Sequence, residues 1–314
     1  MLSIRRYNKE DKEKWNAFNK ESKNPLFMFD RGYMDYHEDR FVDHSLLFYE
    51  DDTLVALLPL SEHGNELRSH GGLTYGGFIT NKKMKQHKMN ECFELFRNYA
   101  KSNGFKKVIY KTIPHIFHVQ PAEEDRFSLF ANGATLSTVD VSTYLNLFNP
   151  IKMPKGRKAQ ISRARRESVV ITELTSLSDF REFIRLENEV LMERHDVKAV
   201  HSGDELKLLH DRFPDNIHLF AAVKEERMIA GVVLYEYETV VHTQYMAADD
   251  MARRIGALDL TILEIIDKYK TNKAWLDFGI STEHGKIYLN EGLVAQKEGF
   301  GGRTGVYEIW ELSL

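Results

Sequence analysis

Two periodicities, two residues and 3.6 residues, alternate along this chain, and the switches between them mark its elements. Residues 45–49 (Ser-Leu-Leu-Phe-Tyr) are apolar and aromatic. The charged Glu50-Asp51-Asp52 follows, and residues 54–60 return to Leu-Val-Ala-Leu-Leu-Pro-Leu. That order reads as strand, turn, strand, a β-hairpin. The same hairpin recurs at His218 to Val223, Lys224 to Arg227, and Met228 to Leu234, with Ala56 matching Ala230. Helical spacing at Phe93, Phe96 and Tyr99 predicts a helix from Met89 to Ser102, closed by Asn103-Gly104. Lys107 to Lys111 then reads as a strand. In the second half Leu258, Ile262, Ile265, Ile266 and Tyr269 predict a helix from about 257 to 270, followed by a strand at Trp275 to Gly279.

Each half also opens on a strand and a helix. Ser3 to Tyr7 precedes Trp15 and Phe18, and Val169 to Glu173 precedes Phe180, Phe183 and Leu186, with Ser178 as the expected N-cap. The repeated order, β, α, hairpin, β, α, β, predicts an α/β chain with mixed sheets flanked by helices. The chain has 314 residues, which suits two domains. The expected bounds are 1–145 and 146–314, the second opening on a basic helix.

Composition narrows the function. Apolar residues make up 42% and the formal charge is −4, so cores are ample and no global basic field would hold nucleic acid. The lone Cys92 sits in a helical pattern and reads as a packing residue. The first residues lack a secretory core, and no apolar run approaches a membrane span, so a reduced, cytoplasmic protein is expected. Charge is concentrated in one place. Lys152, Lys155, Arg157, Lys158, Arg163, Arg165 and Arg166 follow one another around Pro154-Lys155-Gly156. This segment reads as a solvated linker helix or as a cationic clamp for a phosphorylated or polyanionic ligand.

Four stretches carry a resemblance. They are Gly71-Gly72-Leu73-Thr74-Tyr75-Gly76-Gly77-Phe78, the basic run Gly156 to Arg166, Leu276-Asp277-Phe278-Gly279-Ile280-Ser281, and Gly292 to Gly302 with Lys297 before its glycine turn. In order and spacing they resemble the FemAB/FemX group of tandem acyltransferases, whose halves have the GNAT fold. A strand follows the basic helix at once, so the chain resembles members without a coiled-coil arm. The resemblance implies transfer of an acyl or aminoacyl group to an amine of a sugar, lipid-linked sugar or peptide, in cell-envelope or polysaccharide synthesis. The donor would be acetyl-CoA or another acyl-CoA, an acyl carrier protein thioester, or an aminoacyl-tRNA. The implied partners include neither DNA nor a metal.

In GNAT folds the donor carbonyl lies in a split between two parallel strands, here 240–247 and 274–279, and helix-start amides hold its phosphates. The phosphate-loop pattern Gln/Arg-x-x-Gly-x-Gly/Ala is met in part by Arg253-Arg254-Ile255-Gly256-Ala257-Leu258, where Arg253 and Gly256 fit and Leu258 departs. Arg253, Arg254 and Gly256 are therefore the expected donor-binding residues, and the first half would shape the acceptor side. Tyr75, Gly76, Arg157 and Arg163 are the expected substrate contacts. Tyr288, with Gly292 four residues on, mimics the GNAT tyrosine that protonates the leaving thiolate. The register set by Gly301-Gly302 and a final strand from Arg303 instead puts Lys297 in that place, with Asn290 as N-cap. Lys297 would then stabilise an oxyanion or bind a phosphate, and its replacement by Met should leave stability within about 1 kcal/mol. Asp277 is the first choice of general base, with His242, Gln244, Glu283 and His284 nearby in sequence or register. A second reading, a catalytically degenerate module that binds a nucleotide-linked sugar, rests on Leu258 in the loop pattern. A third, nucleic-acid binding through 152–166, fits poorly with the acidic remainder.

Overall fold

The computed structural model describes residues 1–195, 199–283 and 287–314. They fall into two compact units, Met1–Asp140 with Val306–Leu314, and Val141–Gly305. Residues Val306–Leu314, expected with the second half, thus belong to the first unit.

The first unit contains β1 (Leu2–Arg6), α1 (Lys12–Glu21), α2 (Arg31–Met34), β2 (Val42–Asp43), β3 (Leu46–Glu50), β4 (Thr53–Leu58), β5 (Ser61–His63), β6 (Glu66–Arg68), β7 (Ile79–Thr80), α3 (Gln86–Ser102), β8 (Lys107–Lys111), α4 (Glu124–Ala131) and the first half of β9 (Thr135–Asn146). The hairpin read from the sequence is β3–β4, paired Leu46↔Leu58 to Glu50↔Thr53, inside the antiparallel sheet β1-β3-β4-β7. Phe93, Phe96 and Cys92 of α3 pack with Phe48, Phe78 and Tyr110 in a continuous core. Burial pushes the Cys92 thiol up to about 12, so it stays protonated and serves as packing.

The second unit follows with α5 (Lys155–Arg166), β10 (Val170–Leu174), α6 (Leu177–His195), α7 (Gly203–Arg212), β11 (Ile217–Lys224), β12 (Arg227–Glu236), β13 (Val240–Ala248), α8 (Asp250–Ile255), α9 (Ala257–Tyr269), β14 (Trp275–Ile280), β15 (Thr282–Glu283), β16 (Tyr288–Leu289), α10 (Glu291–Glu298) and the start of β17 (Arg303–Ser313). Its sheet runs β10-β11-β12-β13-β14 and on to the end of β9. Every pair is antiparallel except β13 with β14. The second hairpin turns at Glu225 and Glu226 with φ of 50° and 61°, the primed geometry that matches strand twist.

Helices cover both faces of this sheet. Val232, Leu234, Val241 and Leu276 share a core with Ile262, Ile265 and Ile266 of α9. On the opposite face α6 lies so close that a side chain on Gly231 would meet Phe183 at 2.6 Å. The α6 N-terminus differs from the sequence reading. Ser176, not Ser178, bonds to the Asp179 amide, and Asp179 returns the bond to the Ser176 amide. No helix among the described residues is long and apolar enough to cross a membrane.

Candidate active site

Strands β13 and β14 pair in parallel at only three positions, Val240↔Trp275, Val241↔Leu276 and His242↔Asp277. Strand β13 continues to Ala248, while β14 bends at Gly279, which has a φ of +70°. The two strands therefore part just beyond His242 and Asp277, where the sequence reading placed a split. At that point the two side chains meet, His242 Nδ1 lying 2.8 Å from Asp277 Oδ2. Both are buried, Asp277 completely. They belong to the α6-covered face, because His242 pairs with Tyr235, which alternates in step with Gly231.

Asp277 is an acceptor hub. Besides His242, Ser142 Oγ donates to its Oδ1 at 2.6 Å, and the Gly279 amide donates to the same oxygen at 3.0 Å. A carboxylate on Nδ1 favours a proton on that nitrogen. Asp277, expected as the base, thus has both carboxylate oxygens in contact with neighbouring groups, His242 among them.

Lys297 lies 3% exposed near the end of α10, and the Asn290 side chain caps that helix by accepting from the Leu293 amide. Its ammonium donates to Gly279 O at 2.8 Å, Ile280 O at 2.8 Å and Ser281 Oγ at 2.9 Å. All three N–H donors are engaged by the turn that ends β14, so this lysine pins the rim of the split. Burial pulls its pKa down to about 8, against the opposing pull of Asp277. These bonds argue against the expectation that Lys297 could be replaced at little cost in stability, because Gly279 O, Ile280 O and Ser281 Oγ would lose their donor.

The remaining expected residues separate into groups. Tyr75 is 1% exposed, its hydroxyl 2.7 Å from that of Tyr307 and its ring against Phe117, so it is a core residue of the first unit. Gly76 is there because a Cβ would strike Ser69 Cβ at 2.3 Å. Gly71 and Gly72 likewise pack on the rings of His63, Phe41 and His37. The glycine-rich stretch is thus a close-packed turn. Tyr288 is half exposed on the short strand β16. Arg163 donates to Arg254 O at 3.0 Å, and Arg254 itself is exposed.

Arg157, Arg253 and Gly256 do come together, around a cavity of roughly 530 Å³ that also reaches Gln160, Leu293 and Gln296. Their bonds, however, are spent within the chain. Arg157 is ion-paired with Asp259, donates to Gln296 O at 2.7 Å and stacks 4.3 Å from the Phe300 ring centre. Arg253 bonds Ala248 O and Asp250. The Gly256 amide donates to Ala252 O at 2.9 Å, closing α8, so it is not the open phosphate donor expected. Its φ of +81° and the approach of Gln160 O, 2.6 Å from where a Cβ would stand, account for the glycine. Glu283 is exposed, and His284 lies outside the described residues.

One residue escaped the sequence reading. Glu187 continues the inward stripe Phe180, Phe183, Ile184 of α6 and is 7% exposed. Its Oε2 has no hydrogen-bond partner among the described residues, and burial raises its pKa to about 7. A carboxylate at an apolar position of the helix was the signal.

Residues 155–286 match the family model of the acetyltransferase (GNAT) domain. No curated protein matches the chain in sequence. Its fold is that of FemX, with a TM-score of 0.69 and 10% identity over 99% of this chain and 97% of that one. L-PGS from Bacillus licheniformis matches with a TM-score of 0.65 and 15% identity, over 96% and 91% of the two chains. A tandem GNAT protein from the clavulanic acid biosynthesis pathway matches at 0.56 and 10%, over 100% and 98%. The mixed sheets flanked by helices, in two GNAT-like halves, are therefore the architecture that the sequence pattern implied.

Proposed function

We propose that the chain is an N-acyltransferase that moves an acyl or aminoacyl group onto an amine, with the chemistry at the β13–β14 split. The observation that carries this reading is the buried His242–Asp277 pair at the point where the strands part. Acyl transfer to an amine needs a base for the attacking nitrogen and a dry, polar-lined slot for the carbonyl. His242, its proton held on Nδ1 by Asp277, supplies the base through Nε2. Ser142 and the Gly279 amide hold the Asp277 carboxylate in place. Lys297 acts as a positioning residue for the Gly279–Ser281 turn.

The donor is an acyl-CoA, an acyl carrier thioester or an aminoacyl-tRNA, and the acceptor a sugar, lipid-linked sugar or peptide amine, as in cell-envelope synthesis. The likeness to FemX and L-PGS supports this range, and the acetyltransferase model over 155–286 favours the thioester. With Gly256 N–H engaged, the first-turn amides of α9 from Ala257 on are the ones left for a phosphate. The first unit would serve the acceptor.

Thermal shift with CoA, acetyl-CoA and UDP-sugars tests the reading. Stabilisation by CoA or acetyl-CoA is the expected result. Stabilisation by UDP-sugars alone would instead support a binding module, a reading favoured by the engaged Gly256 amide and Arg253 side chain. Once a substrate pair is found, His242→Gln should keep CoA binding and lower turnover about 10²–10⁴-fold. Unchanged turnover would remove His242 from the mechanism.

A further inference from the structure

Of the basic residues that precede and build α5, several are already committed. Arg157 pairs with Asp259, Arg163 bonds Arg254 O and Arg165 pairs with Glu264. Lys152, Lys155, Lys158 and Arg166 are exposed and have no carboxylate partner among the described residues. The inner positions Ile161 and Ala164 pack in the core, so Lys155 and Arg166 stand on the outer side of the helix and the exposed Lys158 on its flank.

The segment leading into α5 displays apolar side chains beside these cations. Phe148 is 64% exposed and Ile151 47% exposed. They are held out by an ordered backbone. Leu147 is buried and its amide donates to Ala274 O at 2.8 Å. Asn146 Oδ1 accepts from the Phe148 and Asn149 amides at 3.0 and 2.9 Å. The Ile151 carbonyl comes so close to Gly301 that a Cβ there would stand 2.2 Å away. Met153 then turns back against the core.

We propose that Phe148, Ile151, Lys152, Lys155 and Lys158 form a docking surface for an anionic lipid bilayer. Each part has a separate role. An exposed phenylalanine and isoleucine on a fixed turn insert their side chains at the headgroup–acyl boundary. Unpaired lysines beside them meet anionic headgroups, in a protein whose net charge of −4 would otherwise repel them. Isoleucine cannot stack on a base, so Ile151 favours a bilayer over RNA as the occupant. The surface is independent of the acyl-transfer reading and extends it, since docking would bring the enzyme to lipid-linked molecules.

Co-sedimentation of the full chain with phosphatidylglycerol/phosphatidylcholine vesicles and with pure phosphatidylcholine vesicles tests this without any need for turnover. Binding to the anionic vesicles alone is expected, weakening as salt rises. The variant K152E/K155E/K158E should bind about tenfold more weakly or worse, and F148S/I151S several-fold more weakly. All five side chains reach solvent, so both variants should keep the wild-type melting temperature; K155E/K158E replaces the charge variant, and F148S the apolar one, where either does not. No vesicle binding, equal binding to both vesicle types, or binding unaffected by F148S/I151S would overturn the proposal, as would salt-sensitive binding of single-stranded RNA without vesicle binding.

Discussion

At the scale of single residues, burial converts familiar side chains into unfamiliar ones. Lys297 has its three N–H groups on Gly279 O, Ile280 O and Ser281 Oγ. Lys297→Met keeps the stem and deletes the donor, so it should cost about 1–3 kcal/mol of stability as well as activity. A urea midpoint equal to wild type would show that water replaces the ammonium. Glu187 offers a cleaner test, because burial alone raises its pKa from 4.5 to about 7. The folded chain holds a proton there that the unfolded chain releases earlier. Its contribution to stability is therefore full below about 4.5 and declines as pH rises through about 7. Glu187→Gln cannot ionise, so it should raise the melting temperature at pH 8, by the equivalent of about 1–3 kcal/mol, and change little at pH 4. Equal effects at the two pH values would mean that Glu187 finds a partner in solution.

At the scale of elements, much was legible because periodicity is a local signal. Both hairpins, α3, α9, β14 and the Asn290 cap follow from spacing and end residues alone. What the sequence concealed depended on contacts with distant residues. Lys297 looks like any lysine in a helix until α10 is laid against the end of β14. Tyr75 among glycines suggests a ligand loop until Tyr307, far along the chain, takes its hydroxyl. Ser178 reads as the cap from its place before Phe180, and only the reciprocal bond with Asp179 puts Ser176 there instead. Gly256 looked like a phosphate loop for the same reason, when its conformation and the approach of α5 require it. Gly256→Ala should therefore pay twice, for φ of +81° and for the clash with Gln160 O. Gly104→Ala, with φ of +82° and open space around it, should pay only the first, about 1 kcal/mol. Equal losses in thermal unfolding would mean that α5 yields freely at Gly256.

At the scale of the whole molecule, the two units are not two successive halves of the chain. The path leaves the first unit at Asp140 and returns to it only at Val306. The returning segment is more than a tail. Ile309 to Ser313 pairs antiparallel with all of β8, from Lys111 to Lys107. Leu312 is 1% exposed in the first unit's core, Glu308 takes a two-pronged ion pair from Arg126 at 2.7 and 3.1 Å, and the Tyr307 hydroxyl meets that of Tyr75. Removing a strand that supplies core, ladder and charge partners exposes apolar surface and orphans the β8 backbone groups together. A chain ending at Gly305 should therefore lose order in the first unit, although nearly all of that unit's sequence remains. Hydrogen exchange reads this directly, with β8 amides losing protection while those of β11 and β12, in the second unit, retain it. If β8 kept its protection in the truncated chain, the returning strand would be an accessory to a first unit that closes without it.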